Sequence, residues 1–143
     1  MLRLFFSTIS VSVIIIANSI SYPQSVHHNS KYNIDNCLNI FNKENVEKTP
    51  AGFQYWFVNK NFIDGRTLKL SVVAPNSSTH PPHYHPEDEF FFIIEGKAEF
   101  YLAGKTKIAE GMATFYCPSN VEHGIKNIGD NELKYLVIKK YEK

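Results

Sequence analysis

The chain lacks an excess of either charge. Fifteen Lys and Arg stand against fourteen Asp and Glu, a formal net charge of +1. A nucleic-acid partner calls for surplus cations to neutralise a row of phosphates, so none is expected here. Cysteine is nearly absent: Cys37 and Cys117 are the only two, which permits one intramolecular pairing at most. A tie between them and two unrelated thiols both fit the sequence, because bridging depends on Cα separation. No Gly-x-Ser-x-Gly element occurs, which argues against a serine nucleophile on a strand-to-helix turn. Strong helical periodicity, internal repeats and low-complexity tracts are missing too. At 143 residues the chain has room for one domain with one core.

The longest apolar stretch, Leu4 to Ile16, follows Arg3 and precedes Ala17-Asn18-Ser19. It is short for a membrane span. A basic start, a brief apolar run and small residues read as a secretory signal peptide over residues 1–19, the alternative being an amino-terminal anchor helix. No Cys follows the run, so lipid attachment there is not expected. The expectation is a secreted or periplasmic, extracytoplasmic protein with no membrane attachment after cleavage.

Residues 20–50, rich in Asn, Ser and His, read as an amino-terminal arm with a short helix where Ile34, Leu38, Phe41 and Val46 approach helical spacing. From residue 51 to 143 the character changes. Short β-branched and aromatic runs alternate with turn residues. Strands are predicted at 53–58, 67–74, 89–94, 97–103, 106–109, 113–117, 123–127 and 133–140. That pattern argues an all-β sandwich or barrel. Leu68, Leu70 and Val72 alternate with Lys69 and Ser71, as half-buried strands do. The segment from Glu89 to Ile94 is instead apolar on both faces. One face can line the interior, and the other needs cover from the arm or a second subunit. A homodimer is therefore expected.

The chemistry is concentrated in His80-Pro-Pro-His83-Tyr-His85-Pro-Glu-Asp-Glu89. On an extended strand His83 and His85 share a face, and Glu89 keeps it if the chain stays extended. Two imidazoles and a carboxylate suit one divalent transition metal, with Fe, Mn, Co, Ni and Zn all acceptable. His123, in a later strand, is the candidate fourth ligand. Each residue alone reads as solvated or as a satisfied polar group; four together in an apolar β context point to a metal.

The spacing His83-x-His85, three residues, Glu89, six residues, Gly96, followed by Gly111, Pro118, His123 and Asn127, resembles the two motifs of the cupin superfamily. Ser77 stands where the first motif usually has glycine, Asn120 replaces a second-motif glycine, and one extra residue separates Gly111 from Pro118. Asn accepts positive φ better than most residues. The resemblance implies a conical β-barrel, a double-stranded β-helix or jelly roll, with His83, His85, Glu89 and His123 around one metal. It also implies open metal positions and a mainly apolar pocket near Phe91, Ile93, Phe100, Ile125 and Tyr135. Asn127 would orient a ligand or the turn, Tyr84 would point away, and His80 would sit at the pocket mouth.

The three-residue spacer is similar to that of small quercetin-dioxygenase-like cupins. That implies a dioxygenase-like reaction on a small phenolic or enediol substrate, with Glu89 as catalytic base. The alternatives are a non-redox, metal-dependent isomerase or dehydratase of sugar acids, and a non-catalytic metal or small-ligand binder. Lys97, Lys105 and Lys107 look exposed, so few interior cations are expected for an acid substrate.

Overall fold

Backbone conformation fixes where the strands end. In the computed structural model, which describes residues 31–141, Asp64-Gly65 and Ala103-Gly104 take left-handed conformations and reverse the chain. Gly96, at φ 97°, turns the chain from one sheet into the other. A Cβ there would sit 2.8 Å from the Glu132 carbonyl oxygen and 2.9 Å from Leu133 Cα. Only glycine fits both the space and the angle.

The strands so delimited are β1 (Glu47–Thr49), β2 (Gly52–Ile63), β3 (Arg66–Val73), β4 (Glu89–Glu95), β5 (Lys97–Leu102), β6 (Lys105–Glu110), β7 (Thr114–Cys117), β8 (His123–Asn127) and β9 (Leu133–Lys140). They build a six-stranded sheet, β1-β2-β3-β9-β4-β7, and a three-stranded sheet, β6-β5-β8, with antiparallel pairing throughout. The eight strands read from the sequence are all present in this jelly-roll arrangement. The ninth, β1, lies inside the stretch read as an arm. Glu47-Lys48-Thr49 contains no apolar residue for periodicity to reveal, and only its pairing with β2 makes it a strand.

Ile93 and Leu133 of the larger sheet and Ala98, Phe100 and Ile125 of the smaller one share a single buried core. Phe100 and Phe115 stack across it with ring centroids 4.4 Å apart. The arm contributes one helical turn, Ile34–Cys37, capped by Asn33. Beyond it Phe41 packs on Tyr55 at 5.0 Å, and the Tyr55 hydroxyl donates to the Ile40 carbonyl at 3.0 Å. The arm therefore covers part of β2. Phe90, Ile94, Tyr116 and Ile138, on β4, β7 and β9, stay exposed on the outer face. Cys37 is exposed, Cys117 is buried, and both are free thiols. No helix among the described residues is long and apolar enough to cross a membrane. The expected signal segment, residues 1–19, lies outside the described residues.

Asn127, fully buried at the end of β8, ties the two sheets together. Its Nδ2 donates to the carbonyls of Val73, Ala74 and Asn131 at 2.9, 3.0 and 2.8 Å, and its Oδ1 accepts from the Gly129 amide at 2.9 Å. Of the two roles implied for Asn127, the structure supports orienting the turn. Asn127→Ala leaves several buried backbone groups unpaired, which should cost about 3 kcal/mol. A denaturant melt of the variant reads that loss, and bound metal per folded chain should be unchanged.

Candidate metal centre

The histidines do not lie on a continuous strand. His83 forms an isolated antiparallel bridge with His123. The His83 amide donates to the His123 carbonyl at 3.0 Å, and the His123 amide returns the bond at 2.9 Å. Residues 84–88 then leave the strand, and Glu89 opens β4. The condition that the chain stay extended from His83 to Glu89 is not met: Pro86 has no amide hydrogen to give a ladder. The shape is set from the opposite loop instead. The Asn120 amide donates to the His85 carbonyl at 2.8 Å, and the Ser119 hydroxyl donates to the Pro86 carbonyl. Asn120 takes φ 58°, the conformation its replacement of glycine requires.

The four side chains nonetheless meet. Donor nitrogens of His83, His85 and His123 all lie within 4.8 Å of one another. Glu89 Oε1 is 3.1 Å from His123 Nε2 and 3.6 Å from His85 Nε2. Two atoms each about 2.1 Å from one ion stand about 3.0–3.4 Å apart at octahedral or tetrahedral angles, so this spacing suits a shared cation. The tautomers strengthen the case. His85 Nδ1 lies 2.7 Å from the Glu87 carbonyl and His123 Nδ1 lies 2.7 Å from the Val121 carbonyl. A carbonyl only accepts, so each Nδ1 carries a hydrogen, and in the neutral ring Nε2 is the nitrogen with the free lone pair. Those lone pairs face a carboxylate oxygen. His83 Nδ1 and His85 Nε2 are buried without a hydrogen-bond partner. A buried ring nitrogen without a partner is costly, and a divalent metal held by the three rings and Glu89 would give His85 Nε2 one. Burial, followed by the neighbouring His80, His123 and His85, holds His83 below the ordinary imidazole value. It is thus a neutral donor at pH 7.

Beside the donors lies a cavity of about 340 Å³. Phe91 and Tyr135 line it as expected, but the mainly apolar pocket is not what forms. Thr67, Lys69 and Ser71 of β3, Gln54 and Trp56 of β2, and Lys139 of β9 also face it. The alternation on β3 is as read, with the polar face turned inward and Leu68 and Leu70 outward. The expectation of few interior cations is likewise corrected. Lys139 Nζ lies 3.4 Å from Glu87 Oε2 and 4.0 Å from Glu89 Oε2. Lys69 Nζ sits 5.1 Å from the centroid of the Trp56 ring. Burial lowers the Lys69 pKa, partly opposed by Glu89. These residues were missed because interior lysines on a strand read as solvent-facing; the register Lys139↔Glu89 and Lys69↔Val137 is what places them inward. Tyr84 is 72% exposed and points away from the donors as anticipated, and His80 reaches the cavity mouth, its ring 4.3 Å from that of His83. Cys117 lies close to Glu89 and His123. Burial and the Glu89 charge push its thiol up to about 12, so it is no thiolate nucleophile.

Residues 69–139 match the family model described as "Cupin domain". This is a cupin-domain protein. The match begins inside β3, so β1, β2 and the arm precede it. Among curated relatives, the chain is 34% identical over 70 residues to the polyketide synthase CurC of Streptomyces cyaneus, covering 48% of this chain and 45% of the relative. It is 33% identical over 78 residues to auxin-binding protein 1 of Arabidopsis thaliana, covering 48% and 39%. The chain thus spans less than half the length of each. A solved structure from Thermotoga maritima, described as a predicted oxalate decarboxylase, superposes with a TM-score of 0.58 at 23% identity, covering 62% of this chain and 78% of that one. That likeness shows the cupin fold.

Within the cupin frame the two replaced glycines have a local reason. Asn120 adopts the positive φ itself. Where Ser77 replaces glycine, the preceding Asn76 takes φ 55°, and the Ser77 carbonyl accepts from the Asn127 amide at 2.8 Å. Substituting a donor should empty the site without unfolding the barrel. Elemental analysis should find about one divalent metal per wild-type chain, a stoichiometry that matches a single mononuclear donor set. His83→Ala and His123→Ala should lose most of it, and His83→Ala should destabilise less than Phe91→Ala, which leaves a core cavity.

Proposed function

We propose that this cupin is a mononuclear metalloenzyme in which His83, His85, Glu89 and His123 hold one divalent metal. A small oxygen-donor substrate then occupies the adjoining cavity. The observation that carries this reading is the convergence of three imidazoles and one carboxylate beside a space of about 340 Å³. Such a space lies at the small end of ligand pockets. The metal, when bound, supplies Lewis acidity toward a substrate oxygen.

The chain's own residues supply the rest. Glu89 Oε1 faces the imidazoles, which leaves Oε2 as the atom that takes a proton from a substrate hydroxyl. Lys139, 4.0 Å from Oε2, positions that oxygen. Phe91, Tyr135 and Val137 exclude water from one side of the cavity, while Gln54, Thr67 and Ser71 offer hydrogen bonds on the other. Removal of a hydroxyl proton opens both reaction classes implied by the sequence. These are a dioxygenase-like reaction on a phenol or enediol, and a non-redox isomerisation or dehydration of a sugar acid. The polar wall and interior lysines favour the acid. The reading extends to an exported protein that pairs with a second copy through Phe90, Ile94, Tyr116 and Ile138.

Two measurements check this reading. The first is consumption of phenols, enediols and uronates by metal-replete protein, in air and under nitrogen. At least one should be turned over, and Glu89→Gln should slow it by about 100-fold or more, the usual share of a general base. Saturable binding with no product would contradict catalysis and leave a ligand carrier. In the second, light scattering should give a dimer mass that falls to the monomer in Ile138→Asp; a wild-type monomer would contradict the pairing.

A further inference from the structure

The inference deepens that reading and rests on it: it names what the substrate carries at its other end. We propose that Lys69, held over Trp56, is a carboxylate-recognition point, so that the substrate is a small hydroxy acid whose hydroxyl lies at Glu89 while its carboxylate pairs with Lys69.

Four observations support the assignment. Lys69 occupies an inward position on β3, between Thr67 and Ser71, and lines the same cavity as His83, His85 and Glu89. Ammonium groups are seldom placed in such positions without an anion to meet them. Among the described residues Lys69 has no ion-pair partner, and its nearest defined contact is the Trp56 ring. Glu47, whose charge also reaches Lys69, is committed elsewhere, its Oε2 accepting from Gln54 Nε2 at 2.6 Å and Trp56 Nε1 at 3.1 Å. That pair of bonds orients the indole, whose face supports both the ammonium and the carbon skeleton of a ligand. Lys139 is not equivalent, because it is already paired with Glu87 and Glu89.

Charge and spacing agree. Lys48, Lys69 and Lys139 line the cavity against the single carboxylate of Glu89, so positive charge is in excess there and a divalent cation adds to it, which favours an incoming anion. Lys69 pairs with Val137 of β9, and β9 pairs with β4. Val137 pairs with Phe91, so the backbones of Lys69 and Glu89 are two strands and two residues apart, about 12 Å. A lysine stem bridges part of that span, and a ligand of a few carbons bridges the rest.

The test compares D-glucuronate with D-glucose, which lacks the carboxylate, on metal-replete protein by titration calorimetry, with metal content measured on the same samples. Wild-type protein should prefer glucuronate by about tenfold or more, the usual worth of one charge-assisted pair. Lys69→Gln should abolish most of that preference at unchanged metal content, and Lys69→Arg should keep it. Equal binding of the two sugars by wild-type protein overturns the proposal without any variant, and so does undiminished preference in Lys69→Gln. Wild-type protein without metal would instead overturn the metalloenzyme reading, while a Lys69-dependent preference in the same sample would leave the carboxylate site standing.

Discussion

Two imidazole lone pairs and a carboxylate oxygen cannot rest within about 4 Å of one another in a buried space unless positive charge lies among them. Glu89 Oε1 stands 3.1 Å from His123 Nε2 and 3.6 Å from His85 Nε2, and the imidazole donors lie within 4.8 Å of one another. The backbone carbonyls of Glu87 and Val121 each fix a hydrogen on the far nitrogen, which turns the near nitrogen toward the carboxylate. The His83–His123 bridge brings a third ring to the same point. Much of the local architecture serves this arrangement. The Asn120 turn grips the His85 carbonyl, the Ser119 hydroxyl grips Pro86, and Glu89 is buried at the head of β4.

Around the donors the larger sheet reverses the usual distribution of polarity. Its inner face carries Thr67, Lys69, Ser71, Lys139 and Glu89 toward the cavity, while Leu68, Leu70, Phe90, Phe92, Leu136 and Ile138 lie on the outside by strand parity. The apolar core is correspondingly displaced toward the other end of the barrel, where Ile93, Leu133, Phe100 and Ile125 meet. One end of the interior holds the apolar core and the other holds the candidate metal donors. Part of the polar end is paired within the protein: Thr67 Oγ1 donates to the Lys139 carbonyl at 3.2 Å, and Lys139 meets Glu87 and Glu89.

Much of this was legible in the sequence. Period-two alternation and turn residues gave eight of the nine strands, and the motif spacing named the four residues that converge. Three things were not legible, each for a physical reason. β1 has no apolar residue and exists only through its partner strand. The irregular path through Pro86 is imposed by the loop at Ser119 and Asn120, far away in sequence. The interior lysines escaped notice because alternation says which residues share a face but not which face turns inward; that depends on the neighbours β9 and β4. The resemblance to cupins supplied the ligand set, and the pocket's polarity had to come from the register.

The central claim is that one metal ion sits among His83, His85, Glu89 and His123. Anomalous diffraction from crystals of the protein, collected at the absorption edge of the metal found in it, tests this most directly. The account predicts a single strong peak about 2.0–2.2 Å from three imidazole nitrogens and one carboxylate oxygen. A map without a peak there, or with its peak on other side chains, would contradict it.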